Sequence, residues 1–250
     1  MKIKNETLDL LQDGERMEDL QCDGLKIIQN KNLYTFTSDS VILANFVKAK
    51  KSDVCAEIGT GCGVISILVF AKNHPQKIVG FEIQKPMFEL CEKNIKLNHL
   101  EKNIEIYHEN AKNFEKNAKK CSFDVVFSNP PYFKVTNFDQ KETKKIAKEE
   151  VCLNIEDLVS TASNMLRSGG SFYVCYSAER SCELIYSCHS HNLIVKEIFF
   201  TENGKGDVKL VFLRAVKDAK NSVKVFKNLV TNDKNGDYLD ELKTKYFLKK

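Results

Sequence analysis

The sequence predicts an α/β fold: a mainly parallel sheet with helices on both faces and an antiparallel hairpin at one edge. Three observations predict it. Short apolar strand patterns alternate with helical patterns from residue 53 to residue 189, and parallel neighbours need such crossovers. A turn with alternate glycines, Gly59-Thr60-Gly61-Cys62-Gly63, joins the first buried strand to the first crossover helix. The last two strand patterns are separated by only a short Gly204–Gly206 connection, too short for a crossover and suited to an antiparallel pair.

Lys26–Gln29 and Leu33–Phe36 alternate around Asn30-Lys31-Asn32, the pattern of a short hairpin. Thr37 or Ser38 then caps a helix carrying Val41, Ile42, Asn45 and Phe46. Asp53–Ile58 reads as a buried strand, Val64–Lys72 as an apolar helix and Lys77–Ile83 as the second strand. Pro86 suits the first turn of the next helix, where its missing N–H costs nothing, and that helix is expected to run to about Asn98. Asn103–Tyr107 and Asp124–Ser128 are the third and fourth strands. Ile155–Leu166 is an amphipathic helix expected to end at Gly169-Gly170. Phe172–Tyr176, a helix over Glu179–His189, and the strands Leu193–Phe200 and Val208–Val216 complete seven strands.

Composition bounds the function. The chain has 250 residues, 42% hydrophobic and 29% charged, which are globular values. With four prolines and no repeat or low-complexity linker, residues 1–250 read as one domain. It divides into an N-terminal hairpin and helix (1–50), a core (51–216) and a C-terminal extension (217–250). The longest apolar run, Val64–Ala71, is interrupted by Ser66, whereas spanning a bilayer takes roughly twenty apolar residues. Met1–Arg16 has no apolar h-region, so a soluble cytoplasmic chain with no membrane partner is expected. The nine cysteines are odd in number, scattered and without a Cys-x-x-Cys pair; reduced thiols are expected. Cys182, Cys188, His189 and His191 cluster at a spacing that fits no familiar finger, so no metal is expected. Net charge is +4 (38 − 34), with a balance of −4 over residues 1–25 and +6 over residues 205–250. A basic C-terminal third suits a polyanion, with Lys-rich segments around Lys134–Lys148 and Lys205–Lys227. Yet 34 of the 38 basic residues are Lys, a bias that genome base composition alone produces.

Three constellations carry chemistry. Glu57-Ile58-Gly59-Thr60-Gly61-Cys62-Gly63 follows a strand and opens a helix, so the backbone can approach a ligand closely beside free N–H groups. Its spacing is E-x-G-x-G-x-G, one residue short of the dinucleotide fingerprint that a pyrophosphate wants. S-adenosyl-L-methionine has no phosphate, and its sulfonium and amino-acid tail suit a turn with an acidic edge such as Glu57. Glu82 closes the second strand, where a carboxylate can accept from ribose hydroxyls; a solvated strand-end glutamate is the bland alternative. Asn129-Pro130-Pro131-Tyr132 follows the fourth strand. Its prolines fix the backbone and remove donors. The Asn129 side-chain carbonyl and the Pro130 backbone carbonyl are two acceptors for one planar NH₂ group. Tyr132 offers a face on which a planar base can stack.

Together Glu57–Gly63, Glu82 and Asn129–Tyr132 resemble the Rossmann-like class I adenosylmethionine-dependent N-methyltransferases of the Asn-Pro-Pro-Tyr type. Several further segments narrow the resemblance to the bacterial family that methylates the exocyclic N6 amine of adenine 37 in valine tRNA. They are Tyr34-Thr35-Phe36-Thr37-Ser38-Asp39-Ser40-Val41, Glu82-Ile83-Gln84, Ala147-Lys148-Glu149-Glu150, Leu166–Gly170 and the ending Gly236-Asp237-Tyr238 through Tyr246. The resemblance implies S-adenosyl-L-methionine as cofactor, S-adenosyl-L-homocysteine as product and tRNA as partner. It implies Asn129, Pro130 and Tyr132 as catalytic residues, and Pro131, Tyr132 and Phe133 as substrate contacts. It places Asp39, Glu57, Gly59, Thr60, Gly61, Gly63, Glu82, Ile83, Asn110 and Asn129 around the cofactor. Asn110 departs from the family's usual Asp, and Glu109 beside it is an alternative contact for the cofactor's adenine. Asp39 matches a residue near the methionine tail, with helix capping as its structural alternative.

The nearest rival is glutamine methylation in peptide release factors, since a glutamine amide presents the same planar NH₂. Such enzymes carry an extra N-terminal helical domain and an Arg-Pro segment, which the roughly fifty residues before the first strand do not supply. DNA adenine methylation lacks residues for a target-recognition domain. A non-catalytic RNA-binding protein would gain nothing from amine-aligning acceptors.

Overall fold

In the computed structural model, which describes residues 11–131, 154–233 and 237, seven strands and two short additions form one sheet. The strands are β3 (Val54–Ile58), β4 (Lys77–Glu82), β5 (Ile104–His108), β6 (Phe123–Ser128), β7 (Leu166–Ser177), β8 (Leu193–Glu202) and β9 (Val208–Lys217). Their order is β8-β9-β7-β6-β3-β4-β5, with β10 (Lys224–Val225) and β11 (Leu229–Val230) both paired to β8. Pairing is parallel except where β9 runs antiparallel between β7 and β8. The late antiparallel pair is therefore as expected, with its second strand on the inside.

Strand alternation divides the core between two faces. Cys55, Ile78, Val125 and Phe127 pack with α1 (Ser38–Phe46), α2 (Val64–Asn73) and α3 (Lys85–Leu97). Ala56, Ile58, Val79, Phe81 and Val126 pack with α4 (Ile155–Met165) and α5 (Ser181–Ser190). Pro86 sits in the first turn of α3 as expected, and Asn154 caps α4 by accepting from the Asp157 amide at 2.8 Å. The chain passes from β3 to β4 on one side and returns to β6 on the other, so the sheet's topological switch lies at β3. Open α/β sheets place ligands beyond the carboxyl ends of the strands at such a point.

Two local expectations are corrected. The N-terminal hairpin pairs Lys26–Asn30 (β2) with the upstream Glu15–Asp19 (β1), and not with Leu33–Phe36. Its turn uses positive φ at Gln21, Asp23 and Gly24, an Asp-Gly signal more compelling than Asn30-Lys31-Asn32. Leu33 and Phe36 pack against the core instead. Gly169-Gly170 does not end α4: the helix stops at Met165 and β7 begins at Leu166. The glycines lie within β7, where a Cβ at Gly170 would come 2.9 Å from the Arg167 carbonyl and 3.1 Å from that of Asp124. The register with β6 shifts there, so these glycines serve a bulge.

Candidate active site

The carboxyl ends of β3, β4 and β6 converge. The glycine turn leaves β3 sewn to its neighbour: the Gly59 and Thr60 amides donate to the Phe81 carbonyl at 2.9 and 3.3 Å. Gly59, Gly61 and Gly63 all have positive φ. At Gly63 the need for glycine is double, because a Cβ would lie 2.7 Å from the Cys91 sulfur. At Gly59 a Cβ would meet no described residue within 4 Å, so among the described residues this edge of the turn faces open space.

Glu82, 6% exposed, anchors the turn from β4. Its Oε2 accepts from the Gly61 amide at 2.8 Å and its Oε1 from the Gln84 amide at 2.9 Å. Burial raises its pKa, and those amides pull the other way. Glu57 is fully buried under the turn, not at its edge. Its Oε2 accepts from the Ser66 hydroxyl of α2, while Oε1 has no partner among the described residues. Burial pushes the Glu57 carboxyl up to about 8, against the pull of the Ser66 bonds and with a small push from Glu82. Thr60 is 3% exposed, and its buried hydroxyl faces the Cys91 thiol of α3.

At the end of β6, the Ser128 hydroxyl donates to the Ile58 carbonyl at 2.7 Å and ties β6 to β3 where both strands stop. Asn129 follows immediately. Its Nδ2 donates to the Ser40 hydroxyl of α1 at 3.2 Å, and its buried Oδ1 has no partner among the described residues. Pro130 is buried and Pro131 exposed. Tyr132, Phe133 and the Lys134–Lys148 segment lie outside the described residues.

The remaining expected site residues are more dispersed. Ile83 holds an apolar side chain 37% exposed beyond Glu82, and its carbonyl meets His108 Nε2 at 3.0 Å. Asn110 caps a 3-10 turn (Ala111–Lys116) by accepting from the Lys112 amide. Glu109 bonds Lys116, at 2.7 Å, and Asn113; these bonds hold its carboxyl down at about 2. Asp39, in the first turn of α1, accepts from the Thr37 hydroxyl at 2.9 Å. With Ser38 it lines a cleft of about 510 Å³ whose other walls are residues 201–205, 207, 209, 210 and 231–233, and which the glycine turn, Glu82 and Asn129 do not line. Among the described residues no group of His, Cys, Asp or Glu is placed to hold a metal, and no helix is long and apolar enough to cross a membrane.

Sequence reasoning missed two residues beside this turn. Ser40, 3% exposed, fixes the Asn129 amide. Asn94, fully buried on α3, donates to the Cys62 carbonyl of the turn at 2.9 Å. An asparagine among the apolar positions Leu90, Cys91 and Ile95 was the available signal for Asn94.

Known proteins resemble this chain. A relative from the Flavobacteriaceae bacterium strain 3519-10, named tRNA1(Val) (adenine(37)-N6)-methyltransferase, is 24% identical over 220 residues, 76% of this chain and 93% of its own length. A Methanocaldococcus jannaschii protein with the provisional name protein N5-glutamine methyltransferase is 37% identical over 123 residues, 49% of this chain and 58% of its own. The crystal structure of a predicted O-methyltransferase from Agrobacterium tumefaciens has the same fold, with a TM-score of 0.65 at 18% identity over 84% of this chain and 98% of that one. The methyltransferase small domain family matches residues 35–192, from the segment before α1 through the glycine turn and Asn129 to the end of α5, and the chain belongs to that family.

Proposed function

We propose that this protein transfers the methyl group of S-adenosyl-L-methionine to the exocyclic N6 amine of adenine in tRNA, at position 37 of valine tRNA. The observation that carries this reading is Asn129: a buried side-chain carbonyl without a partner among the described residues, at the end of β6 beside the glycine turn. A buried acceptor left unpaired costs about 1–3 kcal/mol, so its presence calls for a donor supplied from outside. The name of the Flavobacteriaceae relative, aligned over most of both chains, supports the same substrate.

The residues present fit the methyl donor. The open space beyond Gly59 and the turn anchored by Glu82 make a cradle for a nucleoside without phosphates. Glu82 would accept from the ribose, Ile83 would lie on the adenine, and Glu57, Gly59, Gly61 and Gly63 would shape the floor. Asn110 and Asp39 would complete it at the adenine and the methionine tail. When bound, the cofactor supplies an electrophilic methyl group on a sulfonium.

The chain contributes orientation. Asn129 Oδ1 and the Pro130 carbonyl would accept the two amine protons and hold the nitrogen lone pair out of conjugation with the ring. Pro131, Tyr132 and Phe133 would hold the base. The amine loses its proton after attack, so no general base is required. The basic balance of residues 205–250 would serve the tRNA backbone.

The second reading, glutamine methylation, is favoured by the 37% identity to the Methanocaldococcus jannaschii protein, over about half of this chain. One experiment separates the two. The purified protein is given labelled S-adenosyl-L-methionine with bulk tRNA in one reaction and a peptide release factor in another. Label recovered as N6-methyladenosine after nucleoside digestion is the expected result. Label recovered only in a protein glutamine replaces the tRNA reading with its rival.

A further inference from the structure

We propose that Asn94 is a positioning residue that couples the Ile28 backbone of the N-terminal hairpin to the shape of the glycine turn, and hence to affinity for the adenosyl cofactor; this rests on the cofactor site proposed above. Asn94 is fully buried, and three of the four hydrogen-bonding positions of its amide are used, both N–H donors among them. Oδ1 accepts from the Ile28 amide at 2.7 Å, while Nδ2 donates to the Ile28 carbonyl at 3.0 Å and to the Cys62 carbonyl at 2.9 Å. Turning the amide over would set donor against donor at Ile28, so its orientation is fixed.

Asn98, one turn further along α3, makes the same pair of bonds with Lys26, at 2.9 Å to the amide and 2.7 Å to the carbonyl. The two asparagines, four residues apart on one helix face, thus stand in for a strand along the outer edge of β2. Only Asn94 continues to the turn. There Glu82 holds the Gly61 amide from β4 and Asn94 holds the Cys62 carbonyl from α3, so the turn is pinned from two sides. A cofactor that needs the pinned turn must favour the bonds between Asn94 and Ile28, and the linkage is reciprocal.

Asn98 is the internal control, since it docks the same strand without touching the turn. The first measurement is amide hydrogen exchange on the wild-type chain with and without saturating S-adenosyl-L-homocysteine. Exchange at the Ile28 amide should slow by about fivefold or more beyond any slowing at the Lys26 amide. Equal slowing at both overturns the coupling. The second is calorimetry: Asn94→Ala should weaken S-adenosyl-L-homocysteine binding roughly tenfold, with Asn98→Ala staying within about twofold of wild type. Equal weakening by both variants also overturns it. The exchange measurement needs no variant and decides the matter even where Asn94→Ala does not fold. A wild-type chain that binds no S-adenosyl-L-homocysteine removes the proposed cofactor site, and this coupling with it.

Discussion

Ser40 and Asn129, 89 residues apart in sequence, meet at 3.2 Å, with the amide of Asn129 donating to the hydroxyl of Ser40. The consequence is directional. With Nδ2 engaged on α1, the carbonyl end of the same amide points elsewhere in the site, buried and without a partner among the described residues. If that carbonyl aligns a target amine, Ser40 sets the rotamer that makes it available. Removing the hydroxyl should lower the rate of methyl transfer up to about tenfold, the worth of one hydrogen bond. Ser40→Thr should restore much of it. Calorimetry should show S-adenosyl-L-homocysteine affinity unchanged in Ser40→Ala; a loss of affinity with an intact rate would assign Ser40 to the cofactor instead.

Glu82 accepts two backbone amides through two different oxygens. Glu82→Ala should therefore loosen the turn and remove the proposed ribose acceptor together. A charge-assisted bond is worth about 1.5–3 kcal/mol, which is roughly ten- to a hundredfold in affinity for S-adenosyl-L-homocysteine. Glu82→Gln keeps one acceptor but sets an NH₂ against the other amide, and should lose nearly as much. Unchanged affinity in both variants would take Glu82 out of the site.

Gly63→Ala places a Cβ 2.7 Å from the Cys91 sulfur at a residue whose φ is +87°. The left-handed backbone costs about 1–2 kcal/mol and the overpacking about 1–3. Combining it with Cys91→Ala should relieve the second cost and not the first. A urea-denaturation double-mutant cycle should return a favourable coupling of at least about 1 kcal/mol. Strict additivity would show that the clash is relieved elsewhere.

The succession of the central strands along the chain was legible because each is a short apolar run closed by a turn residue or a cap, and such runs have one stable use in an α/β sheet. The glycine turn was legible for the same local reason. What escaped depended on contacts across the chain. Glu15–Asp19 carries a single apolar residue, Met17, and becomes a strand only because β2 and α3 lie beside it. Gly169-Gly170 looked like a helix stop, but the β6 backbone at Asp124 forces the bulge. Glu57 looked like an acidic edge because the sequence cannot show that the strand's alternation turns it toward α2. Ser40 and Asn94 act through partners 89 and 32 to 66 residues away, so no local pattern announces them.

Glu57 makes stability depend on pH with a definite sign. Its folded-state pKa is raised by burial to about 8 from an ordinary 4.5. Between those values the folded state holds a proton that the unfolded state has released, so this group's contribution is fully present below about 4.5 and is lost as pH rises toward 8. The slope of one such proton is about 1.4 kcal/mol per pH unit at its steepest. Glu57→Gln, which cannot titrate, should remove it. Urea midpoints at pH 5.5 and 7.5 should therefore fall more for wild type than for the variant. Parallel falls in both would mean that Glu57 is not protonated in the folded protein.

Asn129→Ala is the decisive test of the proposed chemistry, because it removes an acceptor without touching the anchors of the glycine turn. Folding and S-adenosyl-L-homocysteine affinity should remain near wild type while methyl transfer collapses. Losing one preorganised group of this kind costs on the order of 3 kcal/mol, a rate loss of about a hundred- to a thousandfold. Asn129→Asp discriminates further. A carboxylate still accepts from the amine but no longer donates to Ser40, so part of the rate should survive if acceptance is what matters. Tyr132→Ala should fail differently, since a stacking face is worth about 1–3 kcal/mol and its loss should appear in capture of the target base. Single-turnover kinetics at saturating cofactor, with tRNA concentration varied, separate the two defects: the Asn129 variants should lower the plateau rate, and Tyr132→Ala should shift the half-saturating tRNA concentration. A near-normal plateau in Asn129→Ala would move the reaction away from the end of β6, because no other described residue there offers a buried side-chain carbonyl without a partner.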